Sequence, residues 1–214
     1  MDIAVVDLGV GNLRSVAQAL TAVAADARVT VSAQADTIAN ADKVVLPGQG
    51  AVGTWFSQLD ERGLRDVLNE ARDSKPLLGI CVGMQAMFDY CAEDGGMAGL
   101  GWFGGQVEHF QQFHSQQERY KIPQMGWNNV SQTKQHPLWS GIDNHRHFYF
   151  VHSYCANLDA AESADVIAGQ TDYGHEFVAA IARDNIFATQ FHPEKSHDDG
   201  LRLLKNFCAW DGTQ

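Results

Sequence analysis

The chain is short of positive charge: 15 Lys and Arg stand against 26 Asp and Glu, a formal net charge of −11. An acidic surface opposes nucleic acid and anionic membranes through general electrostatics, so neither is expected as a partner. Cysteine is scarce and unpatterned. Cys81, Cys91, Cys155 and Cys208 form no C-x-x-C pair and no zinc-like spacing. No long apolar run is present, and the opening DIAVVDLG carries no basic n-region. Reduced thiols in a cytoplasmic protein are the expectation. Pro/Ser-rich linkers, repeats and low-complexity tracts are also missing. An apolar fraction of 45% over 214 residues is enough for a proper core, and 1–214 reads as one domain.

Short apolar strands alternate with helical patterns in the first half. Ile3–Val6, Val29–Val31, Lys43–Leu46 and Leu77–Ile80 read as strands. Between them, Leu13, Val16, Ala17, Leu20 and Val23 mark one helical face, Thr54–Leu59 a short helix, and Leu64, Val67, Leu68 and Ala71 another face. After Gly95 the chain turns strand-rich, with segments near Gly104–Phe110, Asn129–Gln132, His147–His152, Asp165–Gly169, Phe177–Arg183 and Ile186–Gln190. A last helix carries Leu201, Leu204, Phe207 and Cys208. The expected fold is α/β: an open, mostly parallel central sheet flanked by helices, a β-rich second half, and both halves sharing one sheet.

Ligands of such sheets bind beyond the carboxyl ends of the strands, where Gly9–Asn12, Pro47–Gly50 and Gly79–Gly83 fall. Gly9-x-Gly11 is not a dinucleotide fingerprint, because position 14 is Arg and the third glycine is missing. The third loop is different in kind. In Lys75–Phe88, KPLLGICVGMQAMF, an apolar strand ends at Cys81 between Gly79 and Gly83, and a helical pattern follows from about Gly83 to Tyr90. That is the pattern of a nucleophile elbow, with the helix N-terminus favouring thiolate. The competing reading is a buried Cys that closes a strand.

A nucleophilic Cys needs a base and a group to orient it. The segment ATQFHPEK supplies His192 and Glu194 on either side of Pro193, one rigid turn that presents imidazole and carboxylate together. His145, His147 and His152 alternate near a strand without carboxylate or thiol at ligand spacing, so no metal is expected.

Cys81 in GICVGMQ, joined to FHPEKS around His192 and Glu194, resembles the triad (Cys-His-Glu) glutamine amidotransferases. The opening VVDLGVGNLRSV, LPGQGAV, IPQMGWNNV and FYFVHSY resemble the glutaminase subunits of imidazole glycerol phosphate synthase within that family. The match runs from Ile3 to Ser196. The resemblance implies a glutaminase: Cys81 attacks the glutamine side-chain amide, His192 moves protons and Glu194 orients the imidazole. It implies oxyanion donors at Val82 and in Gly48, Gln49 and Gly50, where Gln49 replaces the small apolar residue usual in the family. It places Gln85, Glu93, Ser153 and Tyr154 at the substrate, and Asn12, Trp127, Asn128, Tyr149 and Lys195 at a partner interface. The implied partner is a (β/α)₈ barrel cyclase in a heterodimer that receives the ammonia, with no cofactor. Two other readings stay open: a stand-alone γ-glutamyl cysteine hydrolase or the glutaminase of another synthase, and a non-catalytic interaction subunit.

Overall fold

The computed structural model describes residues 1–114, 120–158 and 165–213. In chain order its strands are β1 (Asp2–Val6), β2 (Arg28–Ser32), β3 (Lys43–Gly48), β4 (Leu77–Cys81), β5 (Phe88–Cys91) and β6 (Met97–Ala98). They continue with β7 (Phe103–His109), β8 (Gln124–Gln132), β9 (Arg146–His152), β10 (Tyr154–Leu158), β11 (Ile167–Asp172), β12 (Glu176–Arg183) and β13 (Ile186–Thr189). The helices are α1 (Leu13–Val23), α2 (Ala35–Asn40), α3 (Val52–Glu61), α4 (Arg65–Ser74), α5 (Val82–Gln85) and α6 (His197–Ala209).

Nine strands form one sheet in the order β2-β1-β3-β4-β13-β12-β11-β8-β9. From β2 to β13 every pairing is parallel; from β13 to β9 every pairing is antiparallel. β3, β4 and β13 are buried at every residue, the mark of parallel strands covered on both faces. Amphipathic α1, α3 and α4 supply part of that cover through Leu20, Trp55, Leu59 and Leu68, each fully buried. Cys81 ends β4 and Thr189 ends β13, so the neighbouring parallel strands deliver Cys81 and the 190–194 segment to the same carboxyl edge.

Two expectations need correction. Both halves do share the nine-stranded sheet, but not every strand joins it: β10-β7-β5-β6 form a separate four-stranded one. The helix expected from Gly83 to Tyr90 is only α5, one turn long. Past it the carbonyls of Ala86, Met87, Phe88 and Asp89 accept from the amides of Gly99–Phe103, and Phe88–Cys91 pairs with β6 and β7 as β5. Met84, Met87 and Phe88 are all fully buried, so the apolar spacing fits helix and strand alike. α2 and β10 carry too short an apolar signal to be foreseen. On α6 the buried face is Leu203, Leu204 and Phe207, with Leu201 and Cys208 at its flank.

Candidate active site

Cys81 sits at φ 54°, ψ −110°, a backbone region that non-glycine residues avoid. Its neighbours hold it there. A Cβ on Gly83 would lie 1.8 Å from the Leu46 carbonyl oxygen, and one on Gly79 2.6 Å from the Met87 methyl. Only glycine lets β3, β4 and α5 approach this closely. With α5 one turn long, it brings few backbone dipoles to Cys81.

The charged neighbour of Cys81 is His192. The ring's Nδ1 lies 2.9 Å from Glu194 Oε1, with both side chains almost wholly buried. Among the described residues Nε2 has no partner of hydrogen-bonding geometry, and its electrostatic neighbour is the Cys81 sulfur. Burial pulls the imidazole down, but the Cys81 sulfur and the Glu194 carboxylate together outweigh it and raise His192 to about 10. The arrangement is a thiol–imidazolium–carboxylate row. It can ionise a sulfur and hand a proton to a leaving group.

A second polar row meets the same sulfur. Gln190 Nε2 donates to Cys81 Sγ at 3.6 Å, and Gln190 Oε1 accepts from Gln85 Nε2 at 3.0 Å. Gln85 Nε2 also donates to the Tyr154 carbonyl at 3.0 Å, and His152 Nδ1 meets that carbonyl at 2.7 Å. His152 Nε2 lies 2.9 Å from the terminal amide of Gln124. Burial pushes His152 down to about 3, so it is the neutral ring with its proton on Nδ1. Sequence reasoning missed Gln190, His152 and Gln124. The available signal was Gln190 itself, a polar residue closing the apolar run IFAT beside the elbow.

A cavity of about 310 Å³ opens over Cys81. Gln49, Gly50, Val82, Gln85, Glu93, Ser153 and Tyr154 line it, all singled out from the sequence, together with Pro123, Val151 and His152. Gly48 lies behind the wall, paired in register with Cys81. Glu93 Oε2 accepts from the Val52 amide at 2.9 Å; burial raises this carboxyl, against that bond. Among the described residues no cluster of His, Cys, Asp or Glu could hold a metal ion, and no helix is long and apolar enough to cross a membrane.

Of the five residues expected at an interface, three meet on one outer face. Trp127 is exposed and packs edge-on to Tyr149 at 6.0 Å between ring centroids, and Lys195 Nζ sits 5.8 Å over the Tyr149 ring. His197 stacks flat on Trp127 at 4.8 Å, and Met125 is 66% exposed beside them. Asn128 points elsewhere: its Nδ2 donates to the Asp172 carbonyl at 2.7 Å. Asn12 is half-buried at the start of α1.

The glutamine amidotransferase class-I family matches residues 4–210. Imidazole glycerol phosphate synthase subunit HisH of Nitrosomonas europaea is 49% identical over 97% of this chain and 98% of its own. HisH of Aromatoleum aromaticum is 48% identical over 98% of each chain. Among solved structures, a Thermoplasma acidophilum protein provisionally assigned to GMP synthase superposes with TM-score 0.70 at 22% identity, over 98% of this chain and 92% of its own. A crystal structure of a glutamine amidotransferase does so with TM-score 0.70 at 18% identity, over 97% of each. These two speak for the fold alone. With the class-I match across nearly its whole length and HisH relatives close to half identical, the chain belongs to the class-I glutamine amidotransferase family.

Proposed function

We propose that this chain is the glutaminase subunit of an imidazole glycerol phosphate synthase in histidine biosynthesis, working as one glutamine amidotransferase domain over 1–214. The observation that carries the chemistry is Cys81 on a strained turn, lining a cavity and backed by a buried His192–Glu194 pair. The near-half identity to HisH subunits over the full length supports the synthase.

Cys81 as thiolate adds to the side-chain amide carbon of glutamine, forming a tetrahedral oxyanion. His192, protonated at Nε2, gives that proton to the departing nitrogen; the C–N bond breaks, ammonia leaves and a glutamyl thioester remains. Water then adds to the thioester while His192 takes its proton. The C–S bond breaks and glutamate is released. Glu194 holds the Nδ1–H tautomer and stabilises the imidazolium throughout. The Val82 amide, at the start of α5, and the Gly48–Gly50 segment supply the oxyanion donors. Gln85, Glu93, Ser153 and Tyr154 receive the amino-acid end of glutamine. The four cysteines are unpaired, which supports a reducing, cytoplasmic setting.

The finer reading of the partner is a (β/α)₈ barrel cyclase bound as a heterodimer and fed ammonia directly. Trp127, Tyr149 and Lys195 form the centre of that face, with Asn12 and Asn128 at its margin. The test is a glutaminase assay of the chain with and without the cyclase and its nucleotide ligand. Turnover should rise sharply in the complex, and Cys81→Ala should abolish glutamine-dependent synthesis while ammonia-dependent synthesis persists. Full activity of the isolated chain would favour a stand-alone γ-glutamyl hydrolase. Loss of both activities in an intact Cys81→Ala complex would refute the division of labour.

A further inference from the structure

Gln190 lies outside the Cys81–His192–Glu194 row, yet its amide hydrogen-bonds the sulfur. The side chain is fully buried. Thr189 pairs with Ile80 across β13 and β4, which sets the next residue on each strand side by side. Those residues are Gln190 and Cys81.

The sense of the amide is forced from the far end of the row. The Tyr154 carbonyl has no hydrogen to give, so the Gln85 atom 3.0 Å from it must be Nε2. That nitrogen's other hydrogen points at Gln190 over 3.0 Å, and only Oε1 can accept it. With Oε1 turned to Gln85, Gln190 is left to present Nε2 to the sulfur at 3.6 Å. The Tyr154 carbonyl is itself fixed by His152 Nδ1 at 2.7 Å. A directional chain therefore ends in an N–H aimed at Cys81. A donor in that place favours thiolate over thiol, because the thiolate is the better acceptor.

The geometry points to Gln190 as a further catalytic residue, an N–H donor that stabilises the Cys81 thiolate and holds it in line, with Gln85 as the residue that orients it. This rests on Cys81 being the nucleophile of the proposed function. His192 supplies the opposite charge; Gln190 supplies direction. A hydrogen-bonded thiolate is more abundant but intrinsically less nucleophilic than a free one. Removing the donor therefore shifts the pH at which Cys81 reacts, without lowering the rate once it is ionised.

The test is alkylation of the full chain by iodoacetamide across pH, with Cys81 followed by mass spectrometry. In that reaction Sγ bonds to the methylene carbon and iodide leaves. Burial pushes the other thiols up, Cys91 and Cys208 to about 11 and Cys155 to about 12, which keeps them out of the neutral window. Gln190→Leu removes the donor at similar volume. Gln190→Met does the same and leaves a weak sulfur acceptor for Gln85. In either folded variant the midpoint of the rate–pH profile should move up by about one pH unit, with the limiting rate at high pH equal or higher. An unmoved midpoint, whatever the rate, overturns the assignment.

If neither variant folds, the wild-type chain decides. The Gln190 side-chain NH2 signal, in protein labelled with 15N-glutamine, should titrate in step with the Cys81 profile. A signal that does not move overturns the role equally. No glutamine is turned over as substrate in these measurements. A failure here therefore leaves the glutaminase reading standing, whereas glutaminase activity retained by Cys81→Ala would sink that reading.

Discussion

The His192 amide donates to the Tyr149 carbonyl at 2.9 Å, and Ser196 Oγ closes a ring between the same two residues. Ser196 Oγ accepts from the Tyr149 amide at 3.0 Å and donates to the His192 carbonyl at 2.6 Å. Tyr149 carries its ring on the outer face with Trp127 and Lys195. The proposed base thus hangs from the same backbone unit that carries the exposed aromatic face. Whatever moves β9 at that face moves His192.

Ser196→Ala tests the clamp. It leaves the Tyr149 amide without its partner, a loss of about 1–3 kcal/mol in stability. A small drift of the imidazole should lower kcat for glutamine by roughly 10-fold to 100-fold while KM changes little, since His192 does not hold the amino acid. Urea unfolding and steady-state kinetics read the two effects. Reduced stability with wild-type kcat would mean that the clamp serves the fold alone.

Gly48 and Gly50 are glycines for different reasons, and alanine at each separates them. A Cβ on Gly48 would sit 2.7 Å from Val82 Cβ and 2.9 Å from the Gly83 nitrogen, both parts of the elbow. Neither can yield without shifting Cys81, so Gly48→Ala should cost about 1–3 kcal/mol and most of the glutaminase rate. A Cβ on Gly50 would meet nothing within 4 Å among the described residues, but its φ is +87°. Gly50→Ala should cost only about 1 kcal/mol through backbone strain, with a smaller loss of rate. Denaturant midpoints and partner-stimulated glutaminase rates check the ranking.

The parallel half was readable because its strands are unbroken apolar runs between glycine loops, as at Lys43–Gly48 and Leu77–Cys81. Cys81, His192, Glu194 and Pro47–Gly50 were readable through short patterns, chemistry that packing alone does not require, and Gln85, Glu93, Ser153 and Tyr154 through the family resemblance. What escaped was set by tertiary pairing. Phe88–Cys91 became a strand because it pairs with β6 and β7, contacts that no local period encodes. Gln190 escaped because a glutamine at a strand end looks like any polar terminus until β13 is laid beside β4. Asn128 was placed at the interface by the family resemblance, yet its side chain turns to the Asp172 carbonyl.

Trp127 offers a check on the outer face. It is 45% exposed and stacks on His197 with rings 3° from parallel. An aromatic this open contributes little to the chain's own fold, so Trp127→Ala should change stability by no more than about 0.5 kcal/mol. Binding is another matter. As a central aromatic anchor its loss should weaken association with the cyclase by about 2 kcal/mol or more, roughly 30-fold in Kd. Titration calorimetry with the cyclase gives the number, and an unchanged Kd would move the interface off this face.

His152 makes the fold sensitive to acid. Burial pushes the ring down to about 3, whereas in an unfolded chain it titrates near its ordinary value of 6.5. Between those limits the unfolded chain takes up a proton that the folded ring refuses. The contribution to stability is therefore complete above about pH 6.5 and is lost as pH falls toward 3, at up to about 1.4 kcal/mol per pH unit. His136, pushed down to about 4 by burial and by Lys134, acts with the same sign. His192 has the opposite sign: its raised value gives stability that is full below about 6.5 and lost as pH rises toward 10, so it is silent in the acid window. His152→Asn keeps a donor for the Tyr154 carbonyl and removes the titration. Urea unfolding across pH should show the variant least competitive near neutrality, with its deficit against wild type shrinking steadily as the solution is acidified. A deficit that stays constant from pH 6.5 to about 3 would mean that the ring is not held neutral in the folded chain.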